Sequence, residues 1–344
     1  MTHPLAQLEH LSLGVMAKVL LDTQALPLDT WRGADALNQQ LRTAPRHAWI
    51  VRRWLAALSR AGWLQNKGDQ LAFHAVPEAP QLEQLPALYA ALGFPASMAS
   101  LHERVISQLP ELLRDEIALA ALLLEDGDPV AVLGAYQHNH YTGAINEALA
   151  ARARELPIGN QPLRVLELGG GAGCATRAVL AALQERAVAY CFSDISPLFK
   201  HAAQRQWRLE PGMTFALLDM DHNLAGQGVE ARSQDLVIAA NVLHNARDAL
   251  HTLTHIRACL RPGGTLLFSE SIADNPAMLT FMHLLLSPAS GAPLRAYDEV
   301  FLPLEHWQPL LRVAGFELLE VWPTADHPLA DAGQRLFHAV ERAQ

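Results

Sequence analysis

The chain has 344 residues, of which 50% are hydrophobic and 18% are charged, a composition typical of a globular protein long enough for two domains. Its formal net charge of −9, without a basic run, argues against a nucleic acid as partner. No apolar run is long enough to cross a membrane, no signal sequence begins the chain, and the three cysteines fit neither a disulfide framework nor a metal site. We therefore expect a cytoplasmic protein without a membrane segment or bound metal.

The first segment of the chain, residues 1–76, predicts helices followed by a hairpin. Apolar residues recur at helical spacing between Leu5 and Leu20. Near the end of the segment, alternating apolar residues flank a turn of Asn, Lys, Gly and Asp at 66–69. Helices followed by such a hairpin are typical of a winged-helix domain.

The next segment, residues 77–156, predicts a linker and then helices. Several prolines lie between 76 and 90, and the helical pattern starts at about residue 98. The pattern over 136–156 predicts one long amphipathic helix. Tyr136, Asn139 and Tyr141 lie near its start, where they could bind a substrate and cover a site, or simply pack in a linker helix.

From residue 157 to the end of the chain, short apolar runs alternate with helical stretches. This alternation predicts an α/β fold, a doubly wound and mostly parallel sheet with helices on both faces. The runs that we interpret as strands are 164–168, 189–193, 214–218, 235–239, 265–269, 316–321 and 335–340.

A glycine-rich turn follows the first of these strands. Residues 167–173 read Glu-Leu-Gly-Gly-Gly-Ala-Gly, and a helical stretch comes next. Gly169 and Gly171 would let the backbone turn tightly and approach a ligand closely, although many classes of nucleotide-binding protein share this feature. Glu167 is unusual beside a pyrophosphate and suits a cationic group, such as the amino group of the methionine moiety of S-adenosylmethionine (SAM).

Two further acids follow the next strands. Asp194 ends the second strand, where a carboxylate can accept hydrogen bonds from both hydroxyls of a ribose. Asp219 follows the third strand and could receive an adenine amino group, although its neighbour Asp221, or a simple turn, is an alternative interpretation. The residues that follow, Ile195 and Met220, complete the adenosine part of the predicted site.

Residues 163–340 resemble the class I SAM-dependent methyltransferases. The stretch 167–173 matches their first motif, and 241–244 and 260–264 match later ones. More closely, 241–248 and 279–281 resemble the methyltransferases of polyketide and non-ribosomal peptide synthases and their free-standing relatives. The resemblance implies a Rossmann-like catalytic domain with SAM as cofactor.

In the carbon-methylating members of that group, a histidine and a glutamate act together. The resemblance places them here at His244, after the fourth strand, and Glu270, after the fifth, and adds Asn241 to the cofactor site. A histidine titrates near neutral pH and can act as a general base. A carboxylate bonded to the ring nitrogen that faces away from the substrate would fix the tautomer of the histidine. In the other interpretation, His244 is a polar residue at the start of a helix that touches the edge of the cofactor, and Glu270 has a structural role only.

Three functions remain open on these residues. The first is methyl transfer to a small acid, keto acid or acyl substrate of natural-product metabolism. The second is cyclisation of SAM itself to azetidine-2-carboxylate, since the segment 281–293 lacks the tryptophans that the family usually carries there. The third, a SAM-sensing winged-helix regulator, is disfavoured by the acidic charge, although three arginines lie at 44–53. The winged-helix segment resembles the amino-terminal domain of small-molecule O-methyltransferases, which implies that it forms a homodimer or covers the active site.

Overall fold

The structure, a computed structural model, describes residues 3–125, 127–288, 298 and 300–342. Its contacts group the chain into two compact units. The first, here called the N-terminal unit, is Met1–Tyr136 with Asp274–Val300, and the second, here called the sheet unit, is Gln137–Ala273 with Phe301–Gln344. This grouping differs from the division at residues 76 and 156, which stays a prediction.

The helices of the described residues are distributed over both units. None of them is long and apolar enough to cross a membrane. In chain order they are α1 Pro4–Asp22, α2 Ala34–Leu41, α3 Ala48–Arg60, α4 Leu85–Ala91, α5 Ala96–Ser107, α6 Leu109–Leu113, α7 Leu119–Glu125, α8 Pro129–Gln137, α9 His140–Arg154, α10 Cys174–Ala182, α11 Pro197–Gln206, α12 Ala249–Cys259, α13 Pro276–Leu279 and α14 Leu304–Val313.

The strands of the described residues form two sheets, one in each unit. The N-terminal unit contains the three short strands β1 Arg32–Gly33, β2 Leu64–Lys67 and β3 Gln70–Phe73. The sheet unit contains β4 Leu163–Glu167, β5 Val188–Asp194, β6 Met213–Leu217, β7 Gln234–Ala240, β8 Leu260–Ser271, β9 Phe316–Trp322 and β10 Gln334–Glu341.

In the N-terminal unit, β2 and β3 pair as the antiparallel hairpin that the sequence predicts, and β1 pairs with β3. Helix α3 is amphipathic, and its apolar face is buried. Trp54 on that face is completely buried, and its indole N–H donates to the carbonyl of Leu279, 2.9 Å away. The segment around α13 thus packs on α3, although more than 200 residues separate them in the chain.

In the sheet unit the strand order is β6-β5-β4-β7-β8-β10-β9. The first five strands of this order are parallel, and β10 is antiparallel to both β8 and β9. The seven predicted strands and the α/β fold are confirmed.

Both faces of this sheet are covered, which explains the continuous apolar runs of its strands. Successive residues of β4 enter different cores: Val165 packs with helices α9, α10 and α11, and Leu166 packs with α12 and α14. Because side chains alternate along a strand, a run of apolar residues is needed to fill a core on each side.

The helix predicted over 136–156 is wrong as one element. Helix α8 ends at Gln137 and α9 begins at His140. The side chain of Asn139 accepts hydrogen bonds from the backbone N–H groups of Tyr141 and Thr142, at 3.1 and 2.9 Å. Asn139 is therefore an N-cap, and it starts a new helix where apolar periodicity alone suggested a continuous one.

Candidate cofactor and catalytic site

The predicted site residues of the sheet unit follow the carboxyl ends of parallel strands. Glu167 ends β4, Asp194 ends β5, His244 follows β7, and Glu270 lies at the end of β8. These four strands are consecutive neighbours in the sheet, so their ends share one edge. Ligands of open α/β sheets bind at this edge.

The turn after β4 depends on glycine at two positions. Gly169 has a φ of +61°, and a Cβ there would lie 2.3 Å from Cγ2 of Val242. Gly171 has a φ of +55°, and a Cβ there would meet nothing closer than 3.9 Å. Gly169 is therefore needed both for its left-handed backbone conformation and because a side chain would clash with Val242. Gly171 is needed only for its backbone conformation, since a Cβ there would have free space around it.

Asp194 ties this loop to the second strand. Its Oδ2 accepts the N–H of Gly171 at 2.9 Å, and its Oδ1 accepts the N–H of Ser196 at 2.8 Å. Burial raises the pKa of the carboxyl, while N–H groups of Ser196, Gly171 and Ile195 act in the opposite direction. A carboxylate has about four acceptor positions, so Asp194 keeps acceptor capacity beyond these backbone donors, as a ribose diol requires.

Glu167 lies underneath the loop and is completely buried. Its Oε2 accepts hydrogen bonds from the hydroxyls of Thr176, at 2.6 Å, and Tyr190, at 2.8 Å. Its Oε1 has no partner among the described residues. Burial raises the pKa of this carboxyl to about 7, and the two hydroxyls partly oppose the shift.

The third acid, Asp219, has neighbours of its own. Its Oδ1 accepts the N–H of Asp221 at 2.9 Å, and its Oδ2 lies 3.0 Å from Nδ1 of His222. The local turn that the sequence left open as an alternative is therefore formed, and an adenine contact by Asp219 stays a prediction. Nearby, Met220 is half-buried and Ile195 is 67% exposed, an unusual exposure for isoleucine.

His244 and Glu270 form a close pair. Nδ1 of His244 lies 2.9 Å from Oε2 of Glu270, and the backbone N–H of His244 donates to Oε1 at 3.2 Å. Side-chain exposure is 6% for the histidine and 0% for the glutamate. An ionised carboxylate can only accept, so Nδ1 carries a proton and Nε2 is the atom of the neutral ring that can take one.

Two further residues lie close to this pair in the fold. The ring of Phe301 meets the imidazole of His244 edge-on, with centroids 4.9 Å apart. Asn241 adopts a left-handed backbone conformation at φ +52°, and its side-chain oxygen accepts the N–H of Ser271 at 3.3 Å. This contact joins the turn after β7 to the end of β8, where Glu270 lies.

The three predicted substrate-binding residues do not form one cluster within a unit. Tyr136 belongs to the N-terminal unit, where its hydroxyl donates to the sulfur of Met278 at 2.7 Å and its ring stacks on Phe94. Asn139 and Tyr141 belong to the sheet unit, at the start of α9. Their roles toward a substrate stay predictions.

Sequence reasoning missed several residues of the site. Thr176, Tyr190 and Phe301 touch its charged groups through contacts between elements, which no local pattern shows. Tyr190 has a faint signal, since it carries a hydroxyl group within the mainly apolar run of β5. Among the described residues, no group of three or more His, Cys, Asp or Glu side chains could hold a metal ion.

The three arginines at 44–53 all have acidic partners within the N-terminal unit. Arg46 donates to Asp115 at 2.6 and 2.9 Å. The guanidinium of Arg52 reaches Asp298, with one contact at 2.7 Å, and that of Arg53 pairs with Asp274. Each of these arginines is thus paired with a carboxylate of the same unit.

Comparisons with known proteins find similarity to methyltransferases and polyketide synthases. A family described as a methyltransferase domain matches residues 166–266. Polyketide synthase ThaG of Burkholderia thailandensis is 32% identical over 328 residues, 89% of this chain but 6% of ThaG, so the chain spans a small part of that relative.

Two solved structures are similar over almost the whole chain. The CurJ carbon methyltransferase has a TM-score of 0.84 at 28% identity, covering 98% of this chain and 92% of CurJ. The DszA carbon methyltransferase has a TM-score of 0.82 at 25% identity, covering 98% of this chain and 90% of DszA. The similarity thus extends beyond the sheet to both units.

Proposed function

The chain belongs to the class I SAM-dependent methyltransferases, related to those of polyketide synthases, and we propose that it methylates a carbon atom of a small acid, keto acid or acyl substrate. The observation that carries the proposal is the buried His244–Glu270 pair at the carboxyl ends of β7 and β8. Methyl transfer to carbon needs a base that removes a proton from that carbon, and this pair is built as one. Similarity to two carbon methyltransferases supports the same reaction.

SAM is the cofactor of this enzyme, and the residues of the sheet edge fit it. Glu167 offers an unpartnered buried oxygen toward a cationic group, Asp194 has acceptor capacity for a ribose diol, and the exposed side chain of Ile195 can cover an adenine ring. When bound, SAM supplies an electrophilic methyl group on a sulfonium. The protein then has to orient the acceptor, exclude water and remove a proton.

The pair can remove this proton as follows. Glu270 accepts from Nδ1 of His244, which leaves Nε2 as the basic atom of the neutral ring. Nε2 takes a proton from a carbon next to a carbonyl group, and the electrons of the C–H bond form an enolate whose carbon is the nucleophile. The imidazolium that results is stabilised by the carboxylate of Glu270. Phe301 restricts the ring to this orientation.

A labelling experiment tests the proposal. The purified protein is incubated with methyl-labelled SAM and a panel of 2-keto acids and 3-ketoacyl thioesters. We expect label on the carbon next to the carbonyl group and one S-adenosylhomocysteine per transfer, both abolished in His244→Ala. The matched control is the same thioester with two methyl groups on that carbon, which has no proton to lose. Absence of transfer across the whole panel would contradict the proposal.

A second candidate is cyclisation of SAM, in which the amine of the methionine moiety attacks the γ-carbon of the same molecule. The sequence of 281–293 favours it, because this segment lacks the tryptophans that the family usually carries there. The two reactions leave different products. Incubation with SAM alone would give methylthioadenosine for cyclisation, whereas methyl transfer needs an acceptor and gives S-adenosylhomocysteine.

A small-molecule substrate, rather than a nucleic acid, also follows from charge. The net charge is −9, and Arg46, Arg52 and Arg53 are each paired with a carboxylate. A SAM-sensing regulator would need these arginines for phosphate contacts. The N-terminal unit, whose first 76 residues we predict to be a winged helix, would then serve packing or dimer formation.

A further inference from the structure

Asp221 lies in the loop that follows β6, residues 218–223, here called the β6 loop. The side chain of Gln227 holds the start of this loop, because it accepts the N–H of Asp219 and donates to the carbonyl of the same residue, each at 2.8 Å. Oδ1 of Asp219 in turn accepts the N–H of Asp221 at 2.9 Å. These hydrogen bonds fix the backbone of Asp221 within the loop.

The carboxylate of Asp221 contacts a different segment, residues 242–247 after β7, here called the His244 turn. Oδ1 accepts the backbone N–H of Arg247 at 2.9 Å, and Oδ2 lies 3.6 Å from Nε of the same residue. The side chain of Arg247 is 84% exposed, whereas that of Asp221 is 18% exposed. An ion pair to so exposed a guanidinium contributes little, so the hydrogen bond to the backbone is the stronger of the two contacts.

The His244 turn is closed by bonds of its own. The N–H of Asn245 donates to the carbonyl of Val242 at 3.0 Å, and that of Ala246 donates to the carbonyl of Leu243 at 3.1 Å. Leu243 and Ala246 are also buried. The turn is therefore a short stiff unit, and a restraint on its last residue limits the movement of its middle, where His244 lies.

The position of this turn matters because Glu270 holds His244 at two points. The backbone N–H of His244 donates to Oε1 at 3.2 Å, and Nδ1 lies 2.9 Å from Oε2. A shift of the backbone would lengthen the first contact directly and would carry the ring away from the second. A catalytic group that is displaced by less than about 1 Å already loses part of its orientation toward a substrate.

We propose that Asp221 is a positioning residue for the catalytic base: it joins the β6 loop to the His244 turn and so keeps His244 on Glu270. The inference rests on the proposed function, in which His244 removes a proton. It also separates two acids that the sequence left as alternatives for the adenine. Asp219 is the acid available to the cofactor, and Asp221 acts through the backbone of the turn.

Amide hydrogen exchange, measured by NMR on the ligand-free protein, tests the inference without any turnover. In Asp221→Ala the N–H of Arg247 loses its acceptor. Because the turn moves as a unit, we expect the amides of both Arg247 and His244 to exchange about fivefold faster, the change that corresponds to the loss of one hydrogen bond. The amide of Tyr190, which bonds the carbonyl of Gly212 at 2.9 Å, should be unchanged and shows that the variant is folded. Faster exchange at Arg247 alone would overturn the inference, since the bond would then act only locally.

Two variants separate the hydrogen bond from the ion pair. Asp221→Asn keeps an acceptor oxygen for the N–H of Arg247, so we expect exchange at His244 within about twofold of the wild type. Arg247→Ala removes the exposed guanidinium but keeps the backbone N–H, so exchange at His244 should also stay as in the wild type. If Arg247→Ala accelerated this exchange as strongly as Asp221→Ala, the ion pair would hold the turn and the inference would be wrong.

Binding and turnover complete the test. Titration calorimetry should give Asp221→Ala an affinity for S-adenosylhomocysteine within about twofold of the wild type, while kcat falls by about three- to tenfold and recovers in Asp221→Asn. A much lower affinity, with exchange at His244 unchanged, would make Asp221 a residue that binds the adenosine and would overturn the inference. A wild-type kcat in Asp221→Ala would also contradict it.

The outcomes separate this inference from the proposed function. If acceptors are methylated but exchange at His244 does not respond to Asp221→Ala, the role of Asp221 is overturned and the proposed function stands. If exchange responds but no acceptor is methylated, the proposed function fails, and Asp221 holds a turn that carries no base.

Discussion

At the scale of single residues, Glu270 is held by two groups of one partner, the N–H and Nδ1 of His244. Glu270→Gln removes the charge that stabilises the imidazolium and lets the amide present an N–H to Nδ1, which favours the wrong tautomer. We expect kcat to fall by about 10²- to 10⁴-fold, with affinity for S-adenosylhomocysteine within roughly twofold of the wild type. Steady-state kinetics and titration calorimetry measure the two quantities.

A matched control exists in the same unit. Glu320, on β9, accepts from Arg152 at 2.7 Å and is 35% exposed at its side chain. Glu320→Gln also removes one carboxylate charge, but from a partly exposed ion pair, so we expect kcat to change by less than about twofold. If Glu270→Gln were as active as this control, His244 would not be acting as a base oriented by the carboxylate.

The position of these acids at one edge of the sheet could be predicted from the sequence, whereas their hydrogen-bond partners could not. Glu167, Asp194 and Glu270 each end an apolar run, so a parallel sheet brings them to one edge. That Tyr190 donates to Glu167 depends on how β5 lies in register with β4, and that Thr176 does so depends on how α10 packs. The spacing of apolar residues in the sequence indicates neither the register of β5 against β4 nor the packing of α10.

At the scale of elements, α9 begins at a cap that the sequence did not signal strongly. Asn139→Ala removes the acceptor of two backbone N–H groups and should lower the free energy of unfolding by about 1 kcal/mol. Chemical denaturation of the purified variant measures this. Asp is as good an N-cap as Asn, so Asn139→Asp should restore the stability.

The same pair of variants tests the predicted substrate role of Asn139. If Asn139 only caps the helix, Asn139→Asp should have the wild-type KM for the acceptor. A rise in KM in this variant, with stability restored, would instead show that the amide contacts the substrate. The N-cap was missed because apolar residues at helical spacing continue through 136–156, and a cap acts on the backbone rather than on that spacing.

Helices α4, α5 and α13 of the N-terminal unit are joined by a buried histidine. His102 lies between the hydroxyl of Tyr89, 2.8 Å from Nδ1, and that of Thr280, 3.1 Å from Nε2. Thr280 donates its own proton to the carbonyl of Ala277 at 3.0 Å, so it accepts from Nε2–H, and Nδ1 accepts from Tyr89. The contacts thus specify a neutral ring in one tautomer.

This neutrality predicts sensitivity to acid. Burial lowers the pKa of His102 from 6.5 to about 3 in the folded protein. Below pH 6.5 the unfolded chain binds a proton that the folded one does not, so stability is full above that pH and is lost as the pH falls toward 3. The expected loss is at most about 1.4 kcal/mol per pH unit, measured by denaturation between pH 7 and 4.5.

An exposed histidine of the same unit is the control. The side chain of His10 is 58% exposed and lies 3.5 Å from Glu78. We expect His10→Gln to keep the wild-type slope of stability against pH, and His102→Gln to be less stable at pH 7 but to show a shallower slope. Equal slopes in the wild type and His102→Gln would mean that other groups cause the acid sensitivity.

At the scale of the whole molecule, the sheet could be predicted and the grouping of the chain could not. Apolar runs that alternate with helical stretches indicate a parallel sheet, and this pattern is local in the sequence. That Asp274–Val300 belongs with the N-terminal unit depends on contacts such as Arg53 with Asp274 and Trp54 with Leu279. Such contacts join residues more than 200 positions apart in the chain, and no pattern in the sequence between these residues indicates that they meet.

The proposed cofactor site lies in the sheet unit alone, which leads to a final prediction. We expect S-adenosylhomocysteine to bind the folded sheet unit and not the unfolded chain, so at 100 times its Kd it should raise the free energy of unfolding of that unit by about 2.7 kcal/mol. Hydrogen exchange should slow at the amides of Gly171 and Ser196, whose N–H groups bond Asp194. In Asp194→Asn, the amide that replaces one acceptor oxygen opposes these N–H groups and weakens binding, so at the same ligand concentration both the stabilisation and the protection should be largely lost. Full protection in this variant would show that the ligand lies away from the ends of β4 and β5.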